Sequence, residues 1–470
     1  MKFHLSYKLL FFICLLGSVV LLGGVCDNSS NVSLKKVELT IWRVWDEEDA
    51  FEEIFDSYRA AHPNVTFVYK KLRYEEYKEE LLSAWARGEG PDIFSLPNQW
   101  MGEYLDLITP LPPELEIPRI VTKKVLGFKE ERREVRDKVK TYTVNNIRSL
   151  FASTVVDDVV FYDKEGASRI YGLPYSIDNL ALYYNRDILD QSNIPLPPRT
   201  WDELLTQIPK LVRENSQNEI TQSGIALGTV DNIQRYFDIL SLLMVQDGTS
   251  MGSIDQNNRF RSDISERLKI EEGGSFYPGA HALTFYTDFS NVSKQSYSWN
   301  VDLPNAFEAF TQGQLAYYLG YSYSLSDIKE IAPRLNFDVA PIPQASLNQE
   351  VNYANYWVDS VYANSENATW AWDFLVFATK KENVVNYLNN TKRPSALREI
   401  ISLQLEQDPE IEVFVNQALT SANWYHGKDY TKTEDIFSIM INSILDGTST
   451  SREAVEAAEK MINQNEKLKE

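Results

Sequence analysis

The chain has 470 residues, 43% of them hydrophobic and 12% aromatic, which is ample material for a core. Single cores stop growing at roughly 250–300 residues, so two lobes are expected rather than one. A formal charge of −21 repels phosphate backbones and anionic surfaces and argues against nucleic-acid binding, while two cysteines, one of them inside the N-terminal apolar run, exclude a structural zinc site built on several thiolates.

The first 26 residues carry a positive start (Lys2, Lys8), an apolar run over 9–25 and small residues (Gly23, Gly24) before Cys26, the layout of a secretory signal. A cysteine at the cleavage point resembles a bacterial lipoprotein signal, in which the Cys26 thiol is acylated and becomes the new N-terminus. The small residue usual before that cysteine is replaced here by Val25. If the signal stays uncleaved, its apolar run of about 17 residues sits at the lower limit for a spanning helix and still holds the chain at the membrane. Both readings place the folded part outside the cytoplasm, anchored to the outer face of the cytoplasmic membrane. Loss of Lys2 and Lys8 with the signal takes the charge from −21 to −23, and loss of Cys14 leaves no partner for an internal disulfide.

Residues 27–36 are polar and aperiodic, as a tether would be. Alternation of Val37, Leu39 and Ile41 then predicts a strand, and Phe51, Ile54, Phe55 and Tyr58 fall at the spacing of an amphipathic helix. Val65, Phe67 and Tyr69 predict a second strand. Tyr74, Tyr77, Leu81 and Trp85 form a second helical stripe, and a short strand over 92–96 follows the turn at Gly88-Glu89-Gly90-Pro91. This β-α-β-α-β order predicts an open, largely parallel α/β sheet with ligands at the carboxyl ends of its strands. The dense charge run over 129–140 mixes signs and reads as the solvated face of a helix.

Farther along, Thr200-Trp201-Asp202-Glu203 is a capping box that predicts a helix through Leu211, with Pro197-Pro198 stiffening its entry. A short strand is expected over 224–227. Ile233, Tyr236, Phe237, Leu240, Leu243 and Met244 predict a helix over 231–246, stopped by Gly248. Thr450 and Glu453 form another capping box, and no internal repeat of 20 to 50 residues is present.

Catalytic patterns are sparse. Gly248-Thr249-Ser250-Met251-Gly252 matches a nucleophile elbow, but that turn needs a strand before the serine and a helix after it, and here a helix precedes. Asp255, Asn257 and Glu266 fit positions 1, 3 and 12 of an EF-hand loop, yet Arg259 and Phe260 stand where a ligand and a glycine are required. His62, His281 and His426 lack metal-ligand spacing, so neither a metal nor a cofactor is expected. Carboxylates are plentiful, and a secreted polysaccharide-processing enzyme needs only a suitably spaced pair, so that alternative stays open beside a receptor for a polyamine or peptide. Aromatic rings stand out instead: Trp45, Trp100, Tyr175, Tyr321, Tyr323, Trp357 and Trp424 lie at strand ends or in irregular segments. Sugars present CH faces that stack on such rings and hydroxyls that pair with Asp46, Asn98, Gln99 or Asp178 nearby. For any one ring, core packing is an equally good account.

The motifs TIWRVWD (40–46), GEGPDIFSLPNQW (88–100), YGLPYSIDNLALYYNRD (171–187), PPRTWDEL (197–204), GIALGTVDNIQRYFDIL (224–240), FYTDF (285–289), FTQGQLAYYLGYS (310–322), APIPQ (340–344), YANYWVDSV (353–361), AWDFLVF and RPSALR follow one another over nearly the whole mature chain. In this order they resemble extracellular solute-binding proteins of the maltodextrin-binding type, the lipoprotein receptors of carbohydrate ABC importers. The resemblance implies a two-lobed, type II periplasmic-binding-protein fold, each lobe an open, mostly parallel sheet flanked by helices, with the ligand cleft at the hinge. It implies lobe one over 37–176 and 341–391 and lobe two over 177–340 and 392–470, after a signal over 1–25 and a tether over 26–36. Trp45, Asp46, Asn98 and Trp100 would line the cleft from lobe one, and Tyr175 and Asp178 would face ligand at the first crossing. Asp231 and Asn232 would open a helix on lobe two. Tyr321, Tyr323 and Trp357 would add to the cleft, with Trp424 and Tyr425 as a late aromatic wall. The implied partners are a small-molecule ligand, a sugar, and the permease subunits of the importer; the implied state is a monomer without enzymatic activity.

Overall fold

The computed structural model describes residues 33–125, 129–269 and 274–469; the signal segment and Cys26 lie outside the described residues. Val37–Leu115 together with Lys140–Glu470 forms the large compact unit, and Glu116–Val139 belongs to a separate small one.

The small unit differs from the helix expected there. It is a two-stranded ribbon built from Glu114–Val125 and Lys129–Lys140. Its charges hide a period of two: Val135, Asp137 and Val139 are half-buried, whereas Arg136, Lys138 and Lys140 are exposed. Opposite charges meet across the ribbon at Arg119 and Asp137 and, at 3.7 Å, at Arg136 and Glu116.

The large unit contains two main sheets. In the first, Val37–Arg43 pairs in parallel with Val65–Lys71 on one side and with Ile93–Pro97 on the other, and Trp357–Val361 closes the edge antiparallel to Ile93–Pro97. The helical stripe expected at Phe51, Ile54, Phe55 and Tyr58 is buried against this sheet, where Phe55 stacks on Phe67 with centroids 4.3 Å apart. Helices Tyr74–Arg87, Ala368–Ala378 and Lys381–Thr391 complete this lobe.

The second sheet runs Phe337–Ala340, Ala181–Asn185, Leu315–Gly320, Ile220–Ile225, Arg213–Glu214. Only Ile220–Ile225 and Leu315–Gly320 pair in parallel; the other pairings are antiparallel, a departure from the mostly parallel sheet expected. Ala181–Asn185 arrives directly from the other lobe with no crossover helix, so nothing forces it to run parallel to its neighbours. Tyr236–Gln246, Pro278–Asp288, Tyr430–Leu445 and Ser451–Leu468 pack as a helical group on this lobe. The Thr450 capping box is complete, with the Thr450 hydroxyl accepting from the Glu453 amide and the Glu453 carboxylate accepting from the Thr450 amide.

Between the sheets, extended segments run side by side. Leu173 and Asp359 exchange amide bonds at 3.0 and 3.1 Å, the Asn355 amide donates to Asp178 at 3.0 Å, and the Ile177 amide donates to Pro394 at 2.9 Å. Gly102, in the short helix Met101–Tyr104, lies against the chain where it passes His426 and Gly427. A β-carbon on Gly102 would overlap both carbonyl oxygens. Gly102→Ala is therefore expected to lower unfolding free energy by about 1–3 kcal/mol, read by urea denaturation; an unchanged midpoint would show that the two segments separate freely.

Candidate functional site

The carboxyl edge of the first sheet gathers aromatic rings for a topological reason. Trp45 follows the end of Val37–Arg43, Tyr74 follows the end of Val65–Lys71, and Trp100 follows Ile93–Pro97. Trp357 opens an antiparallel strand whose first residue pairs with Pro97, which puts it on the same edge. Four separate segments thus deliver a ring to one place.

Trp45 and Tyr74 stack with centroids 6.0 Å apart and planes inclined by 19°, and Trp357 stands nearly perpendicular to both at 6.3 Å. Trp45 is 51% exposed and Tyr74 41%, whereas Trp100 is only 4% exposed and backs the group, 5.9 Å from Tyr74. Tyr77 supports Trp357 from below at 6.0 Å and is locked by donating to the carbonyls of Trp42 and Ser95. The result is an aromatic shelf open to solvent on one side.

Polar groups of the second lobe complement it. Arg235, just before the helix Tyr236–Gln246, lays its guanidinium 5.2 Å from the Tyr321 ring and 5.8 Å from the Tyr323 ring and donates to the Tyr323 hydroxyl at 2.8 Å. Burial alone would lower the pKa of Arg235, but Tyr323 and Asp238 outweigh it and hold the guanidinium firmly charged. Asp238 is buried and accepts from the Tyr321 hydroxyl at 2.8 Å and from Gln99 of the first lobe at 3.3 Å. Glu434, on Tyr430–Leu445, is pushed up to about 7 by burial and by the charge of Asp238, against the pull of Arg235. Burial raises the Tyr74 phenol, and Glu434 raises it further, so the shelf and these charges share one electrostatic environment.

The expected site residues divide into two groups. Trp45, Trp100, Trp357, Tyr321 and Tyr323 belong to the shelf or its polar complement. The rest are used elsewhere. Asp46 is buried in ion pairs with Arg43 and Arg393, both at 2.9 Å, and accepts from the Tyr387 hydroxyl. Asn98 is sealed in the interior, donating to Asp158 at 3.1 Å and accepting from the Tyr356 amide. The Tyr175 ring is buried between Phe51 and Tyr387. Asp178 is raised to about 6 by burial, against the donors Ser322 and Asn179 that hold it on the crossing segment.

Asp231 is exposed and, instead of opening a helix, lies in a turn five residues before Tyr236 begins it. Asn232 is fixed by Thr229, Trp299, Asn300 and Leu303. Trp424 and Tyr425 are core residues rather than a wall of the site. Trp424 donates to Ser241 at 3.0 Å and packs on Phe237 and Phe437, while Tyr425 donates to Glu466 at 2.9 Å.

Sequence reasoning left out Tyr74, Arg235, Asp238 and Glu434. Tyr74 carried a signal, as the first ring of a helical stripe and so the one nearest the strand edge. The EF-hand-like spacing also has a plain use, since the Asp255 carboxylate accepts from the amides of Asn257 and Arg259 and shapes a hairpin turn. Among the described residues, no three His, Cys, Asp or Glu side chains gather as metal ligands, and no helix is long and apolar enough to cross a membrane.

Comparison with known proteins agrees with this architecture. Residues 53–413 match the bacterial extracellular solute-binding protein family. The galactooligosaccharide-binding protein of Bacillus subtilis (strain 168) is 20% identical over 403 residues, covering 84% of this chain and 80% of that protein. The maltotriose-binding protein of Pyrococcus abyssi is 21% identical, covering 73% of this chain and 62% of that protein. In structure, the cyclic alpha-maltosyl-1,6-maltose binding protein from Arthrobacter globiformis superposes with a TM-score of 0.69 at 18% identity, covering 91% of this chain and 98% of that one. A cyclo/maltodextrin-binding protein complexed with maltotetraose superposes with a TM-score of 0.68 at 15% identity, covering 93% and 98%. The fold is the two-lobed, type II periplasmic-binding-protein fold, and with a family match over most of its length the chain belongs to the bacterial extracellular solute-binding proteins.

Proposed function

We propose that the chain is the extracytoplasmic receptor of an ABC importer and closes its lobes on an oligosaccharide. The observation that carries this reading is the shelf of Trp45, Tyr74 and Trp357 set in one environment with Arg235, Tyr323, Asp238 and Glu434. A pyranose has apolar CH faces and a rim of hydroxyls, so it uses rings and hydrogen-bonding groups at once. The sugar-binding names of the relatives and structural neighbours support the same class.

In this mechanism the ligand rests on the lobe-one shelf and takes hydrogen bonds from lobe two. Its contacts with both lobes favour the closed form by differential affinity, with extended crossings near 176, 340 and 391 as the hinge. The Gln99 to Asp238 bond joins the lobes beside the shelf, and closure would keep it. No bond of the ligand is broken. The closed receptor, a monomer held at the membrane by acylated Cys26 or by an uncleaved signal, presents both lobes to the permease.

The test is a thermal-shift and tryptophan-fluorescence screen of the mature protein against maltotetraose, galactooligosaccharides, cyclic maltodextrins, peptides and spermidine, with mass analysis of each sugar afterwards. A shift with an intact oligosaccharide is expected. Cleaved sugar would sink the receptor reading, and a response confined to peptides or spermidine would sink the carbohydrate reading.

A further inference from the structure

One buried carboxylate ties the base of the shelf to the second lobe. Asp158, on the short helix Ser153–Val159, is fully buried. Its Oδ2 accepts from the Tyr356 hydroxyl at 2.6 Å, from the Asn98 side chain at 3.1 Å and from Thr154 of its own helix at 3.4 Å. Its Oδ1 accepts from the Asn423 side chain at 2.8 Å and from Nε2 of His426 at 3.0 Å; because a carboxylate only accepts, that nitrogen carries the proton.

The two sets of donors lead to different places. Asn98 and Tyr356 face each other just beyond the Pro97 and Trp357 pair that ends the first sheet: the Asn98 amide donates to the Tyr356 carbonyl at 2.9 Å, and the Tyr356 amide donates to the Asn98 side chain at 3.2 Å. Tyr356 directly precedes Trp357, and Asn98 stands two residues before Trp100, so both segments carry a ring of the shelf. On the other side, Asn423 and His426 bracket Trp424 and Tyr425, which are anchored in the second lobe on Phe237, Phe437 and Glu466. Burial alone would raise the pKa of Asp158, but His426, Tyr356 and Asn423 outweigh it and hold the carboxyl below its usual range. Packing alone would be served by an apolar side chain; a saturated carboxylate instead fixes the direction of every group that donates to it.

We infer that Asp158 is a positioning residue for ligand binding: through Tyr356 and Asn98 it sets the Trp357 and Trp100 rings of the shelf, and through Asn423 and His426 it sets them relative to the second lobe. This rests on the carbohydrate reading above. Asp158 acts through these rings and touches no ligand itself. Asp158→Asn keeps the size of the side chain but puts an NH2 group where an acceptor oxygen stood. Whichever way that amide lies, it meets donors: Asn423 and His426 in one orientation, Tyr356 and Asn98 in the other. The shelf then loses either its support or its link to the second lobe.

The experiment compares wild type with Asp158→Asn and Tyr356→Phe, each alone and combined with Trp357→Ala. Calorimetric titration uses maltotetraose, galactooligosaccharides and cyclic maltodextrin; near-ultraviolet circular dichroism of the ligand-free proteins reads the tryptophan bands, and thermal unfolding is the folding control. For whichever of these sugars binds, Asp158→Asn is expected to lose about tenfold in affinity, within the range that coupled neighbours show. Tyr356→Phe, which removes one hydrogen bond and keeps the ring, is expected to lose less in the same direction and stands in should Asp158→Asn not fold. Both should alter the tryptophan bands. In the Trp357→Ala background most of each effect should disappear, because the ring being set is gone; a residue that served stability alone would lower the unfolding temperature equally in both backgrounds and leave the affinity of the folded protein unchanged. Wild-type affinity in folded Asp158→Asn, or effects of undiminished size beside Trp357→Ala, would overturn the assignment and leave the carbohydrate reading standing. If no sugar binds wild type, the carbohydrate reading falls, and the ligand-free spectra decide whether Asp158 sets the shelf: unchanged tryptophan bands overturn it, and a change that vanishes beside Trp357→Ala upholds it.

Discussion

Arg43→Met is expected to cost the fold about 3–5 kcal/mol, the range for removing one partner of a buried ion pair. Arg43 is 3% exposed at the end of the first strand, with one guanidinium nitrogen 2.5 Å from Asp359 and another 2.9 Å from Asp46. Its guanidinium also lies 4.7 Å from the centroid of Phe51. Asp46 would keep Arg393 at 2.9 Å, but Asp359 would keep only neutral donors such as Ser95 and would remain buried with its charge uncompensated. Burial already raises the pKa of Asp359 against the pull of Arg43, so without Arg43 protonation becomes the cheaper course and the variant should gain stability toward acid pH. The sign follows from a carboxyl that binds its proton more tightly in the folded state than in the unfolded one. Urea unfolding at pH 7 and pH 5 measures both effects, and a loss below about 1 kcal/mol at pH 7 would mean the network is not what joins these strands. The double change Arg43→Met with Asp359→Leu should recover much of the loss, because it removes the stranded charge along with its partner.

The second large effect concerns binding. Trp45→Ala is expected to weaken oligosaccharide affinity about 10- to 100-fold while leaving thermal unfolding nearly unchanged, because a ring that is 51% exposed contributes little to the core and much to a stacked ligand. Trp357→Ala should weaken binding at least as much and also lower stability, since that ring rests on Tyr77. Trp424→Ala should do the opposite. It leaves a cavity between Phe237 and Phe437, costs about 3–5 kcal/mol of stability and spares affinity in the fraction that folds. Calorimetric titration beside thermal unfolding separates the three variants; equal affinity losses in Trp45→Ala and Trp424→Ala would contradict the division between shelf and core.

The first lobe was legible from the sequence because each of its strands and helices carries its own period. The stripe at Tyr77, Leu81 and Trp85 is buried as expected, and Tyr74 escapes burial only because it opens the helix at the strand edge. The ribbon was not legible as strand, since charges on both faces masked the alternation of Val135 and Val139 with their neighbours. The helix expected from Asp231 starts at Tyr236 because Asn232 is held by loop contacts that a local pattern does not contain. The site itself was half legible. Rings at strand ends could be named, but whether a ring in an irregular segment meets solvent or core depends on partners far away, as Trp424 and Tyr425 illustrate. Arg235 and Asp238 had no local signal at all, because their place is set by Tyr323, Tyr321 and Gln99 from segments far away in the chain.

The strand Trp357–Val361 pairs with Ile93–Pro97, a neighbour from the opposite end of the chain. The order of events during folding follows from this. The early segments can assemble Trp45, Tyr74 and Trp100 among themselves, but the perpendicular ring that finishes the shelf arrives only after the intervening lobe has been made and its long loop closed, a slow, high-separation contact. A chain still lacking this strand therefore carries no finished shelf. Three of its rings come from the first hundred residues, yet the surface exists only once a strand from beyond residue 350 has joined them.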